Sequence, residues 1–266
     1  MSGSYRTQSG VIELIRKPRV AARLDVKNSS VIKGIQFEGL RVMGSVSDLA
    51  KKYYEQGADE IVIMDAVASL YGRDAVLASI RAAINGVFVP ITAGGGIRTV
   101  DDATAFFEAG ADRVAVNTQA LRSPDILQDI SSIYGAQAVV LSIEARRVSS
   151  SSWNCFYESG REDSGIDVLD WAAQGSDLGA GKIFVTSVNA DGTRKGPDYQ
   201  LARALRSEVN LPIMYSGGIQ MPSEVAMLFK DIGVSAVAVA SSLHYGNFTV
   251  GEAKDALSLL SLDPRR

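Results

Sequence analysis

Short apolar runs rich in Val and Ile, without regular polar alternation, recur along the chain, and each gives way to a longer stretch with apolar positions at helical spacing. The runs predict strands at Val20–Leu24, Glu60–Met64, Val87–Thr92, Arg113–Val116, Ala138–Ile143, Lys182–Thr186, Leu211–Tyr215 and Ala236–Val239. Helices are predicted between them, among others at about Ser47–Gln56, Arg73–Ile84 and Asp101–Ala109, and one opened by Ser123 as cap with Pro124 in its first turn. Strands that are apolar on both faces belong to a parallel sheet covered by helices. Eight strands alternating with eight helices predict an α/β fold, a single (β/α)8 TIM barrel, with its site at the C-terminal strand ends. The alternative is an open doubly wound sheet, but Gly94-Gly95-Gly96-Ile97-Arg98-Thr99 lacks the third glycine of a dinucleotide fingerprint.

The pattern also repeats. Ile91-Thr92-Ala93-Gly94-Gly95-Gly96-Ile97 returns about 120 residues later as Ile213-Met214-Tyr215-Ser216-Gly217-Gly218-Ile219, each run introduced by a Pro. An internal twofold half-barrel repeat follows. Glycines at a strand end let a ligand approach the backbone, and their N–H groups near a helix start suit a phosphate. Gly95 and Gly96 neighbour the strand end Asn117-Thr118, and Gly217 and Gly218 neighbour Ala240-Ser241, so the ligand expected carries a phosphate at each end. Tight turns without a ligand are the other reading of these glycines. Residues 1–18 are expected to be a loose N-terminal extension and residues 19–262 the barrel. The one long connection, 147–165, predicts a hairpin whose Trp153, Phe156 and Tyr157 are candidates for substrate contact.

Composition narrows the chemistry. At 266 residues with 46% hydrophobic and 21% charged side chains, the chain matches one soluble domain of this kind. A net charge of −3 without a Lys/Arg run argues against nucleic acid or an anionic membrane as partner. One cysteine (Cys155) and one histidine (His244) leave no internal disulfide and too few ligands for a zinc site, so neither metal nor cofactor is expected. No run is long enough to span a bilayer and the start lacks a signal core, which points to a cytoplasmic location.

Asp25 and Glu144 end equivalent strands in the two halves, so a barrel would set them across its mouth from each other, a geometry for one general acid and one general base. Strand-end carboxylates that merely cap loops are the alternative. Lys27 and Lys33, read as lying in the loop after the first strand, would neutralise substrate charge, orient Asp25 or remain solvated. Asp65 would bond substrate hydroxyls or a loop backbone. Asp191 falls in an Asp-Gly turn, and His244 at a helix end.

Arg23-Leu24-Asp25-Val26-Lys27 with Val31-Ile32-Lys33-Gly34, then Asp65, Gly94-Gly95-Gly96-Ile97, Val116-Asn117-Thr118, Asp191-Gly192-Thr193 and Ser216-Gly217-Gly218 resemble the cyclase subunits of imidazole glycerol phosphate synthase over about residues 19–262. The resemblance implies a twofold barrel that binds a bisphosphorylated histidine precursor, phosphoribulosyl-formimino-aminoimidazole carboxamide ribotide. With ammonia from a partner glutaminase, in a heterodimer, it would yield imidazole glycerol phosphate and aminoimidazole carboxamide ribotide. It assigns catalysis to Asp25 and Glu144, substrate contacts to Lys33, Asp65, Ser159, Thr186 and Asp191, one phosphate to Gly95, Gly96, Asn117 and Thr118, and the other to Gly217, Gly218, Ala240 and Ser241. Arg19, Glu60, Arg113 and Lys182 match a charged ring at the base of the barrel, where ammonia enters.

Three positions depart from the family pattern: Glu144 replaces an aspartate, Lys182 stands where a carboxylate is usual, and Arg23 where a small residue is. These departures resemble a second copy of the cyclase found beside surface-polysaccharide genes, which would supply ammonia for sugar amidation. A non-catalytic ammonia conduit or scaffold is a further alternative.

Overall fold

The computed structural model describes residues 17–28, 30–65 and 74–264. The extension expected at 1–18 lies, up to residue 16, outside the described residues, as does the helix start expected at Arg73.

Eight parallel strands close into a barrel. In chain order they are β1 (Arg19–Lys27), β4 (Glu60–Asp65), β5 (Ile91–Gly94), β6 (Arg113–Val116), β7 (Val139–Arg147), β10 (Lys182–Ser187), β11 (Ile213–Ser216) and β12 (Ala236–Val239), each paired with the next, and β12 returns to β1. The open-sheet alternative is thereby excluded. Every residue of β10 is buried, as are Val20 to Val26 of β1, which is why these segments show no polar alternation. One cluster fills the barrel itself (Ala21, Val62, Ala115, Val140, Phe184, Met214, Ala236 and Ala238), small residues making room for Phe184 and Met214. A larger cluster lies between strands and helices.

The covering helices are α1 (Val46–Glu55), α2 (Asp74–Ile84), α3 (Val100–Glu108), α5 (Asp125–Tyr134), α6 (Val168–Asp177), α7 (Tyr199–Glu208), α8 (Pro222–Met227) and α10 (Val250–Leu259). Short helices α4 (Thr118–Arg122) and α9 (Ser241–His244) follow β6 and β12. Thr99 with Asp102, and Thr249 with Glu252, form capping boxes that start α3 and α10. The cap expected from Ser123 is absent: Pro124 takes the N-cap position of α5, and Ser123 contributes only its carbonyl, accepting from Ile126 N–H. The third barrel strand is shorter than expected because Pro90 has no N–H for the ladder. Its carbonyl still accepts from Ile61 N–H, while Phe88 is left 82% exposed.

Each half carries an antiparallel hairpin after its first barrel strand: β2 (Ser30–Ile35) with β3 (Glu38–Ser45), and β8 (Trp153–Tyr157) with β9 (Glu162–Asp167). The second was expected and the first was not. Lys27 and Lys33 accordingly stand in strands, Lys27 ending β1 and Lys33 in β2, and not in a loop. Both hairpins turn through two non-glycine residues with positive φ, Gln36 and Phe37 (51° and 66°) and Glu158 and Ser159 (51° and 60°), a twist that matches paired strands.

Candidate active site

Asp25 ends the inward face of β1, and its carboxylate is claimed by two cations. Arg23 Nε donates to Oδ1 at 2.7 Å and Lys33 Nζ to Oδ2 at 2.9 Å. Lys33 also donates to both Asp191 oxygens, at 3.0 and 2.9 Å, and Arg23 Nη1 reaches Thr186 Oγ1 at 2.8 Å. Cations and carboxylates alternate in this chain, and all five side chains are buried. Burial opposes charge on Asp25, yet Arg23 and then Lys33 outweigh it and hold the carboxyl well below the usual carboxylate range. Burial likewise opposes the Lys33 charge, but Asp191 and Asp25 raise its affinity for the proton.

Glu144, on β7, behaves oppositely. Burial pushes its carboxyl up to about 7, against the lowering pull of the Gly160 N–H, which donates at 2.7 Å, and of Arg23. The left-handed run Glu158, Ser159 and Gly160 (φ 51°, 60° and 73°) turns that N–H onto the carboxylate. Glu144 thus caps a loop and presents an acid at the same time. Two carboxyl groups driven apart in proton affinity divide into a base and an acid near neutral pH.

Three cavities open around them. The widest, about 100 Å³, is lined by Asp65, Gly95, Gly96, Asn117, Thr118, Glu144 and Ser159, with Arg98 and Arg122 at its wall. Another, of about 20 Å³, is lined by Asp191, Gly217, Gly218, Ala240, Ser241 and Arg194. A cavity of about 30 Å³ between them is lined by Asp25, Lys33, Phe37 and Ser159. The two outer cavities share one backbone design. Gly95 and Gly217 have φ of 110° and 109°, and Asn117 and Ala240 have φ/ψ of −121°/−86° and −121°/−83°. A Cβ on Gly95 would stand 2.8 Å from the Asp65 carbonyl oxygen, and one on Gly217 at the same distance from that of Ser187, so both positions require glycine.

The residues singled out in the sequence fall into two groups. The structure gathers Asp25, Lys33, Asp65, Glu144, Ser159, Thr186 and Asp191 at the mouth with both glycine turns. It places Arg19, Glu60, Arg113 and Lys182 together at the opposite end: Lys182 donates to both Glu60 oxygens at 2.9 Å, Thr92 donates at 2.6 Å, and Arg19 and Arg113 stand 3.5 and 3.7 Å away. Burial lowers the Lys182 amine to about 8, Glu60 only partly offsetting it. The aromatics proposed for substrate contact do not line these cavities. Trp153 is buried with Nε1 on Asp198, and Phe156 offers its carbonyl to Asn117 Nδ2. His244 bonds Tyr53 Oη at 2.7 Å, a packing role. Arg98, Arg194 and Phe37 escaped notice because loop residues carry no periodic signal, and Arg122 because it ends a five-residue helix too short to show one. Arg23 drew notice only as an oddity, although its period-2 phase with Ala21 and Asp25 points it into the barrel.

A family model described as "Histidine biosynthesis protein" matches residues 19–249. The chain is 48% identical over 201 residues to imidazole glycerol phosphate synthase subunit HisF of Legionella pneumophila (76% of this chain, 95% of that one). It is 40% identical over 249 residues to the same subunit of Streptococcus sanguinis strain SK36 (94% and 99%), and 39% over 247 to that of Metallosphaera sedula (93% and 98%). These relatives lend no support to the sugar-amidation or scaffold alternatives, and their designation as subunits implies a partner chain. The chain belongs to the HisF family, the cyclase subunits of imidazole glycerol phosphate synthase in histidine biosynthesis.

Proposed function

We propose that the chain carries out ring closure at this mouth with Asp25 as general base and Glu144 as general acid, on phosphoribulosyl-formimino-aminoimidazole carboxamide ribotide. One phosphate rests on Gly95, Gly96, Asn117 and Thr118, and the other on Gly217, Gly218, Ala240 and Ser241. Lys33, Asp65, Ser159, Thr186 and Asp191 line or brace the span between. Ammonia comes from a glutaminase subunit, in a heterodimer, through the ring of Arg19, Glu60, Arg113 and Lys182. No metal or cofactor enters the scheme, and the enzyme works in the cytoplasm. Among the described residues no helix is long and apolar enough to cross a membrane.

The observation that carries this reading is the pair of strand-end carboxylates with opposed proton affinities, set between two matching glycine-lined cavities. An ionised Asp25 can accept a proton as ammonia adds and the ring closes, while a Glu144 poised near neutrality can give one to the departing ribotide nitrogen. Glutamate reaches about one methylene further than the family aspartate, and misplacement by about 1 Å can cost ~100-fold in rate.

The test is turnover with ammonium salts as nitrogen source, followed by release of aminoimidazole carboxamide ribotide, so that no partner is needed. Wild-type turnover is expected, with Glu144→Asp slower if the lengthened arm is set by the Gly160 turn. Precursor binding without turnover at any ammonia concentration would overturn the reading.

A further inference from the structure

Arg23 shares the inward face of β1 with Ala21, which belongs to the cluster filling the barrel, and with Asp25 at the mouth. Its guanidinium therefore lies inside the barrel between the apolar fill and the acid/base pair. Phe184 of that fill lies 5.4 Å from Cζ on one side, and Phe37 of the first hairpin 5.7 Å away. Nε donates to Asp25 Oδ1 at 2.7 Å, Nη1 to Thr186 Oγ1 at 2.8 Å, and Nη1 also approaches Ser216 Oγ at 3.4 Å. Arg23 is 4% exposed.

A buried arginine is costly, and neutral side chains of similar volume often replace buried charges without loss of stability. Nor does Asp25 need Arg23 for a partner, because Lys33 already supplies one cation and one hydrogen bond. What Arg23 adds is the other oxygen. With Oδ1 on Arg23 and Oδ2 on Lys33, the carboxylate cannot rotate, and each oxygen keeps a lone pair for the substrate side. Thr186 and Ser216 hold the far arm of the fork, so the aim of Asp25 is set from strands β10 and β11 across the barrel.

We propose that Arg23 is a positioning residue for the reaction: forked onto Asp25 and Thr186 and enclosed by Phe184 and Phe37, its guanidinium aims the Asp25 carboxylate and reserves the base's part for it, leaving the acid's part to Glu144. This rests on reading Asp25 and Glu144 as the acid/base pair. The charges facing Asp25 are Arg23 on its own strand, Lys33 from β2, Glu144 from β7, Asp191 after β10 and His244 from α9. Arg23 favours the ionised form of both Asp25 and Glu144.

Arg23→Gln keeps length and a donor but removes the charge. It is expected to lower kcat about 10-fold or more with KM little changed, and to move both limbs of the pH profile of kcat/KM to higher pH. Arg23→Lys keeps the charge and loses the fork. It should leave the limbs in place and still lower kcat. A carbon-13 titration of the Asp25 carboxyl should follow the same shift in Arg23→Gln, independent of turnover. A purely structural role would scale activity with the folded fraction, read by circular dichroism, and leave the limbs unmoved, which overturns the proposal. Should Arg23→Gln fail to fold, Arg23→Lys decides alone: a wild-type kcat, or a kcat that falls only in step with the folded fraction read by circular dichroism, overturns the proposal, and a reduced kcat in a fully folded variant with unmoved limbs supports it. A wild type without turnover sinks the acid/base reading and with it the role for Arg23, while Arg23→Gln limbs that stay put in an active enzyme sink the role alone.

Discussion

Lys33 and Asp191, 158 residues apart in the chain, are joined by hydrogen bonds of 3.0 and 2.9 Å from one ammonium to both carboxylate oxygens. The contact ties the first hairpin to the loop after β10, and Gln36 N–H repeats the tie by donating to the Asp191 carbonyl at 2.9 Å. Lys33→Met strands the buried Asp191 carboxylate and leaves Asp25 with Arg23 as its one paired cation, and is expected to cost about 3–5 kcal/mol in urea unfolding. The double variant Lys33→Met/Asp191→Leu should cost less than the sum of the singles, because the second change removes a charge that the first left unpaired. Additive losses would mean that the two residues act separately.

Removing either proton-transfer group tests the chemistry. Asp25→Asn and Glu144→Gln preserve shape but cannot exchange the proton, so each should lower ammonia-dependent turnover per folded molecule at least ~100-fold while precursor affinity stays close to wild type; Asp25→Asn, which takes the shared anion from Arg23 and Lys33, should also lose stability. Equal loss of binding and turnover would instead mark the carboxylates as binding groups.

Glu144 also makes stability depend on pH. Its carboxyl in the folded chain titrates near 7, above its ordinary value near 4.5, so folding favours the protonated form. The stabilisation is complete below about pH 4.5 and is lost as pH rises through 7. Wild type should therefore lose on the order of 2 kcal/mol across that window relative to Glu144→Gln, a figure discounted for the partial opening of the mouth to water. Parallel stability–pH curves for the two proteins would contradict this.

At the base of the barrel Glu60 is the anion on which Lys182, Arg19 and Arg113 converge, and it is fully buried. Glu60→Gln leaves clustered cations without that anion and is expected to cost about 3–5 kcal/mol. Lys182→Met should cost less, since Thr92, Arg19 and Arg113 still hold the carboxylate and a burial penalty is relieved. Chemical denaturation of both variants decides the order.

Gly95→Ala and Gly217→Ala place a methyl 2.7 Å from Asp65 Cβ and 2.8 Å from the Ser187 carbonyl oxygen, at a φ that other residues rarely adopt. Each should weaken binding of the bisphosphorylated precursor by about 2–4 kcal/mol in calorimetry, through displaced N–H groups. A monophosphate compound that fits one end should distinguish the two variants.

The sequence by itself determined the barrel and the residues at its mouth. Strands buried on both faces announce themselves as unbroken Val/Ile runs, glycine turns by composition, and strand-end carboxylates by position, since each depends on neighbours a few residues apart. The β2–β3 hairpin escaped because apolar residues also stand on its exposed positions, Val42 at 71% and Ile35 at 60%, so no inward and outward alternation marks it. Its turn through Gln36 and Phe37 lacks the glycine that usually marks one. The division of labour between Asp25 and Glu144 was decided only by tertiary structure. Asp25 is held ionised by Arg23 and Lys33, and Glu144 lies beyond their hydrogen bonds, where burial dominates. Proton affinity depends on what surrounds a carboxyl in space, and closing the barrel brings together groups that no local pattern in the chain relates.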